Sequence, residues 1–272
     1  MNFWDNFKTK HIIFAHRGAR SIRAENTMSS FEAALGNCDA IELDVGFTKD
    51  AVPIVIHDDT LERTSNVKKF KEFKKPYKVI DYTYKQLKKL DFSSWFIEND
   101  PFDTIKDKLV SETELNSIEI QRVLKLKKIL RFCKKNKLPV NIEIKDMRGT
   151  KFNKIAVEKI LEIIKKLKIE HLVLISSFNH NYIKKLHKLS PHISTGILEE
   201  NNHPKNIVKY LKSIPTQSYH PRLEITTQEI IKEVSQAGFF INIYTINDAK
   251  HLVKNKYFKH GVKGIFTDFL HH

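Results

Sequence analysis

Two histidines, three carboxylates, an arginine and a lysine sit in or at the ends of short apolar runs. His16 and Arg17 close the run that opens "FAHRGARSIRAENTMSSFEAAL", and His57 closes "VPIVIH". Glu42 and Asp44 lie within "DAIELDV", and Glu143 and Lys145 within "NIEIK". Alternate side chains of an extended strand share a face. Glu42 and Asp44 therefore project to one side, while Ile41, Leu43 and Val45 project to the other; Glu143 and Lys145 share a face in the same way, opposite Ile142 and Ile144. Carboxylates gathered on one face repel one another unless a cation neutralises them. Three oxygen donors suit one hard divalent ion, Mg²⁺ or Ca²⁺, with Mn²⁺ a further candidate. Two imidazoles beside such an ion can divide proton transfer: one deprotonates a nucleophilic hydroxyl while the other protonates a departing alkoxide. Arg17 and Lys145, as fixed cations, suit the nonbridging oxygens of a phosphate ester. Each residue alone has a plainer explanation, a solvated carboxylate or a hydrogen-bonded core histidine. The set points to acid–base cleavage of a phosphodiester.

Such a set needs a frame that brings strand ends together. β-rich runs at residues 11–16, 39–45, 52–57, 139–145, 171–177, 192–198 and 239–246, with shorter ones at 216–220 and 264–268, alternate with helical patterns at 29–36, 118–136, 153–167 and 227–238. With about eight strands and no GxGxxG after the first, an eightfold α/β barrel, the (β/α)8 TIM-type fold, is expected over an open dinucleotide-binding sheet. Charged strand faces would then look toward the barrel axis. Two places break the alternation. Only six residues separate Val45 from Val52, too few for a parallel crossover, so these runs should form an antiparallel hairpin turning near Lys49, Asp50 and Ala51. The hairpin distorts the barrel and brings His57 opposite the Glu42–Asp44 segment. Residues 58 to about 117 are too long for an ordinary loop and read as a small lobe inserted into a single domain spanning 1–272.

Composition narrows the class. The 272 residues are 41% hydrophobic, enough for a substantial core, and Lys plus Arg exceed Asp plus Glu by 47 to 32, a net charge of +15. The excess is spread as Lys among Ile and Leu, as on solvated helix faces, and no nucleic-acid motif accompanies it. Lys-rich apolar segments of the insertion leave peripheral contact with anionic lipid open. Cys38 and Cys133, without a CxxC, suggest neither a disulfide framework nor a zinc knuckle. With no signal peptide or apolar span of 18 residues in view, a cytoplasmic enzyme is expected. The terminal pair His271 and His272 is given no role.

The blocks "HRGAR", "AENTMSSFEAAL", "IELDVGFTKDAVPIVIHDDTLERTSN", "NIEIK", "LISSF", "NIYTIND" and "GVKGIFTD" occur in one order from about His11 to Phe269. In that order they resemble the glycerophosphodiester phosphodiesterase family. The resemblance implies metal-dependent hydrolysis of glycerophosphodiesters to sn-glycerol 3-phosphate and an alcohol. It matches His16 and His57 to the acid and base, Glu42, Asp44 and Glu143 to the metal ligands, and Arg17 and Lys145 to the phosphate-holding positions. Glu25 and Asn26 match a supporting motif, or else cap the helix that follows. The departures touch no proposed ligand: Ala24 replaces a usual Pro, Ala51 a usual Gly, Tyr244 a usual Trp, and "LNSIEIQRVLKL" stands where the usual lead into the next helix would be. Phe178, Tyr244, Trp95 and Phe96 either wall the substrate or pack the core. Rival readings are a lysophospholipase D, a cyclising phospholipase-type barrel and a silent phosphate-binding barrel.

Overall fold

Ten strands form one sheet: β1 (Ile12–Ala15), β2 (Ala40–Phe47), β3 (Pro53–Val55), β4 (Leu124–Lys125), β5 (Val140–Ile144), β6 (Val173–Ser177), β7 (Ser194–Glu199), β8 (Ser218–Pro221), β9 (Phe240–Ile243) and β10 (Gly264–Thr267). Eight of them run parallel in the order β1-β10-β9-β8-β7-β6-β5-β2, and β1 pairs again with β2 to close the ring. The (β/α)8 barrel expected from the alternation is the architecture found. The computed structural model describes residues 1–7, 11–247 and 256–270; His271 and His272 lie outside them.

β2 is long because it serves two partners. Its first half lies in the ring beside β5, with Glu42 opposite Asn141 and Asp44 opposite Glu143. Its end pairs antiparallel with β3, Val45 opposite Val55 and Phe47 opposite Pro53, and β4 adds to the far edge of β3. This is the expected hairpin. Ala51 N–H closes its turn on the Thr48 carbonyl at 2.9 Å, and Ala51 itself takes φ +57°, a left-handed conformation disfavoured by its Cβ.

The barrel helices bury one face each. They follow the 3.6-residue period: α6 (Ala156–Leu167) buries Ala156, Val157, Ile160, Leu161, Ile164 and Leu167, and ends at Lys168 in a left-handed cap. With α1 (Met28–Ala34), α5 (Leu126–Asn136) and α7 (His180–Leu189) it covers one side of the barrel, against Ile41, Leu43, Val45, Ile142 and Ile144. α8 (Ile207–Lys212) and α9 (Gln228–Gln236) cover the opposite side; α10 (Lys256–Lys259) precedes β10. Below the ring, a 3-10 turn at Phe3–Asn6 sets Phe3 parallel to Phe14, with centroids 6.2 Å apart, and Trp4 against Phe240. The amino-terminal end is thereby plugged with aromatic rings.

The helix expected at 118–136 is shorter than its pattern. It begins at Leu126, because Leu124 and Lys125 are taken by β3 and the preceding residues bond outward. Gln121 accepts from Phe92 N–H at 2.9 Å and donates its own N–H to Ser93 Oγ at 3.1 Å, while Ile120 is 49% exposed. Between β3 and β4 the chain builds two 3-10 turns (Val67–Lys69 and Val79–Asp81) and three short helices, α2 (Tyr84–Leu87), α3 (Ser94–Asn99) and α4 (Glu112–Asn116). One apolar cluster there contains Leu61, Val67, Phe73, Tyr82 and Phe92; a second joins Trp95, Phe96, Val110 and Leu115 to Ala24 of the β1–α1 loop. Thr104 Oγ1 also donates to the Ser21 carbonyl at 2.6 Å. No described helix is long and apolar enough to cross a membrane.

Candidate active site

All seven residues singled out from the sequence gather at the carboxyl ends of β1, β2, β3 and β5. Six of them, with Asp44 buried just beneath, line a cavity of about 620 Å³ that also includes Ser176, Phe178, Arg222 and Tyr244. Its size suits a small ligand. The β1–α1 loop makes the first wall. Arg17 takes φ +56°, which turns its backbone N–H toward Glu42 Oε2 at 2.9 Å. Gly18 follows at φ +85°; a Cβ there would lie 2.5 Å from Ser30 Oγ. Backbone held this far from its ordinary regions is common where a loop must aim specific groups.

One oxygen from each of Glu42, Asp44 and Glu143 falls within 4.8 Å of the others. Burial and then the charges of Asp44 and Glu143 push the Glu42 carboxyl well above the ordinary range; burial and Asp44 push Glu143 up as well. Burial also opposes ionisation of Asp44, but Arg17, His57, Lys145 and an Asn26 hydrogen bond hold it down at about 2. Three crowded, buried carboxylates of this kind fit a hard divalent cation, which would relieve both the desolvation and the repulsion. Asn26 Nδ2 donates to Asp44 Oδ2 at 2.9 Å, and Arg17 Nε lies 3.3 Å from the same oxygen. Lys145 Nζ is 2.8 Å from Glu143 Oε1 and 3.8 Å from Asp44 Oδ1. Burial works against charge on Arg17 and Lys145, yet the surrounding carboxylates raise both.

Each imidazole is anchored by a carboxylate through Nδ1. His16 Nδ1 is 2.7 Å from Asp268 Oδ1, and His57 Nδ1 is 2.7 Å from Asp58 Oδ1. Both aspartates are held in the ionised range: burial resists, but hydrogen bonds from the histidines and nearby arginines depress each of them, Asp268 to about 2. An ionised carboxylate only accepts, so Nδ1–H donates and Nε2 is left as the basic atom of each ring. Burial, and after it the charge of Arg17, lowers the pKa of His16 despite Asp268.

The sequence of a known family is matched over nearly the same span. A model of the glycerophosphoryl diester phosphodiesterase family covers residues 16–272. The chain belongs to this family. It is 37% identical over 261 residues to the glycerophosphodiester phosphodiesterase of Bacillus altitudinis, covering 94% of each chain. It is 30% identical to that of Caldanaerobacter subterraneus, covering 95% of this chain and 94% of the relative. Among solved structures it resembles a putatively assigned glycerophosphoryl diester phosphodiesterase from Silicibacter pomeroyi, with a TM-score of 0.80 at 20% identity, covering 97% of this chain and 91% of that one. A phosphodiesterase from Oleispira antarctica, in complex with the product sn-glycerol-3-phosphate, matches with a TM-score of 0.75 at 21% identity over 95% and 93% of the two chains. The enzyme expected from the sequence is thus the one for which the relatives of this glycerophosphoryl diester phosphodiesterase family member are named.

Glu25 and Asn26 are not helix caps; they support the site, as the family motif implies. Thr27 is the N-cap of α1, accepting from Ser30 N–H at 3.2 Å, which frees Asn26 for Asp44 and Glu25 for a cluster of arginines. The four aromatic residues divide. Phe178, 37% exposed, and Tyr244 meet edge to face at 6.2 Å and line the cavity, whereas Trp95 and Phe96 pack inside the inserted segment. Sequence reasoning missed Asp58, Arg63, Arg20 and Asp268 as members of the site. The signals were present: Asp58 directly follows His57, and Asp268 closes the last strand run, at the barrel end that holds His16.

Proposed function

We propose that this chain hydrolyses glycerophosphodiesters to sn-glycerol 3-phosphate and an alcohol, with a divalent cation held by Glu42, Asp44 and Glu143. The observation that carries this reading is the placement of two carboxylate-anchored imidazoles beside a buried carboxylate triad in one cavity. The product seen with the Oleispira antarctica phosphodiesterase supports the same substrate class. The inserted segment and the barrel act as one domain.

In this reading Arg17 and Lys145, kept charged by their carboxylate neighbours, bind the nonbridging phosphate oxygens and fix the phosphorus between the two rings. A divalent cation held by Glu42, Asp44 and Glu143 would supply Lewis-acid polarisation of the phosphoryl group. His16, whose protonated form is disfavoured by burial and Arg17, suits the base that accepts a proton from the attacking hydroxyl at Nε2. His57, which is more open to solvent, suits the acid that returns a proton to the departing alkoxide. The attacking hydroxyl is that of water or the glycerol 2-hydroxyl, the latter through a cyclic phosphate that water then opens; trapping a cyclic glycerophosphate separates the two. Phe178 and Tyr244 offer an apolar wall to the carbon skeleton.

The test is release of glycerol 3-phosphate from glycerophosphocholine and glycerophosphoethanolamine, and of lysophosphatidic acid from a lysophospholipid, first with EDTA and then with Mg²⁺, Ca²⁺ or Mn²⁺ restored. Release that EDTA abolishes and one of the ions restores is expected. Release unaffected by EDTA overturns the role given to the triad, and no release from any substrate overturns the substrate class.

A further inference from the structure

Glu25 is almost fully buried and accepts from three guanidinium groups at once. Arg17 Nη1 reaches Oε1 at 3.0 Å and Arg20 Nη2 reaches Oε2 at 2.9 Å. Arg63, from the inserted segment, forks across both oxygens at 2.7 and 2.9 Å. The same Arg63 forks across Asp58 at 2.7 and 2.9 Å, and Asp58 holds His57. On the other side Arg20 Nη1 lies 3.3 Å from Asp268 Oδ1, the oxygen that holds His16. One unbroken chain of charge-assisted contacts therefore runs from His57 through Asp58, Arg63, Glu25, Arg20 and Asp268 to His16.

Glu25 at its centre is buried, whereas the Arg63 side chain that links it to Asp58 is 41% exposed. The Arg63 guanidinium lies 5.7 Å from the centre of the Trp95 ring, and that of Arg20 lies 5.1 Å from the Phe102 ring; both rings belong to the inserted segment. Three carboxylates, Glu25, Asp58 and Asp268, balance three guanidiniums, so the assembly is neutral within a basic protein. Stability alone is a poor reason to keep it, because ion pairs at the surface contribute little and buried ones often give no net gain over apolar packing. A planar fork that grips two carboxylates together does something apolar packing cannot: it fixes direction.

We propose that Arg63 is a positioning residue that ties both imidazoles to the single carboxylate of Glu25, so that the inserted segment sets the relative placement of the acid and the base. The proposal rests on the two-histidine reading of the site. It gives the insertion a part in the chemistry itself, besides any part in covering substrate.

The test uses Arg63→Lys, which keeps the charge but can grip only one carboxylate. Activity on glycerophosphocholine is measured alongside the imidazole Nδ1–H resonances of the ¹⁵N-histidine-labelled protein. The expected result is a fall in kcat of about tenfold or more with KM within about twofold, and displaced Nδ1–H resonances for both His57 and His16. Arg20→Lys combined with Arg63→Lys should lose less than the product of the two single losses, since both cut one unit. Glu25→Gln cuts the tie from the other end and carries the same spectroscopic expectation should Arg63→Lys fail to fold. Unchanged resonances with unchanged kcat overturn the proposal; so does a change confined to His57, or a double variant that loses the full product. If the wild-type protein cleaves no glycerophosphodiester, the functional reading fails on its own, and the resonances still decide whether Arg63 governs both rings.

Discussion

Replacing Asp268 by Asn removes one negative charge and keeps the shape. In the folded protein Asp268 is buried, accepts from His16 at 2.7 Å and from Asn247 Nδ2 at 2.7 Å, and lies 3.3 Å from Arg20. Burial alone would raise its pKa, but these partners bring it down from 3.8 in the unfolded chain to about 2. A carboxylate depressed by that interval contributes about 2 kcal/mol of stability at neutral pH. The sign follows from the direction: the folded state binds the proton less readily, so the contribution is complete above the unfolded value and disappears as pH falls through the folded one. Asn has no such term. Urea unfolding of wild type and Asp268→Asn should therefore differ by about 2 kcal/mol at pH 7, and the gap should close from roughly pH 5 downward to near zero around pH 2. Turnover should suffer as well: an Asn amide can present a donor to Nδ1 and favour the wrong tautomer, a change that costs on the order of 10⁴-fold in kcat in a comparable buried aspartate–histidine pair. A stability gap that stays constant from neutral to acid pH would refute the assignment of Asp268 as an ionised partner, and unchanged turnover would refute its hold on His16.

Three further expectations follow from other parts of the structure. Glu143→Gln should weaken Mg²⁺ or Ca²⁺ binding by more than about tenfold in titration calorimetry, yet the metal-free variant should melt higher than metal-free wild type, because a carboxyl raised by burial and Asp44 is a destabilising charge at neutral pH. Ala51→Gly relieves the left-handed turn at φ +57° and should raise the unfolding free energy from urea titration by about 0.5–1 kcal/mol after the greater freedom of unfolded glycine is counted. Gly196→Ala should lose about 1–3 kcal/mol, since the new methyl carbon would stand 2.5 Å from Nε2 of the fully buried His220, and a variant as stable as wild type would show that this part of the barrel interior yields.

The legible parts of the fold were those where local pattern and tertiary demand agree. Ile41, Leu43 and Val45 alternate with Glu42 and Asp44 because one face packs on helices and the other looks into the barrel, so the period-2 rule recovers both core and site from seven letters. The hairpin was legible because six residues cannot make a crossover. Residues 118–125 were not, since Ile118, Ile120 and Val123 fit a helical period as well as an extended one, and the decision belongs to β3 and to Phe92 and Ser93, remote in sequence. Glu25 was ambiguous for a related reason. A carboxylate one turn before a helix looks like a capping residue, and only the fold reveals that Arg20 and Arg63 converge on it. Charged clusters assembled from distant segments leave no periodic trace. Asp268 illustrates this: its place at the end of the last strand run puts it at the right end of the barrel, but only the closed ring pairs it with His16, 252 positions away.

The closing pair of strands has a consequence for biosynthesis. β10 completes the ring beside β1, and the residue just after it is the carboxylate that holds His16, 252 positions earlier in the chain. A nascent chain emerging from the ribosome can fold the hairpin and pair β2 with β5 well before then, but it lacks both the last stave of the barrel and the anchor for its first imidazole. The closed ring and the anchored imidazole therefore arrive together, once β10 and Asp268 have emerged, and a premature stop upstream of β10 leaves an open sheet with an untethered histidine.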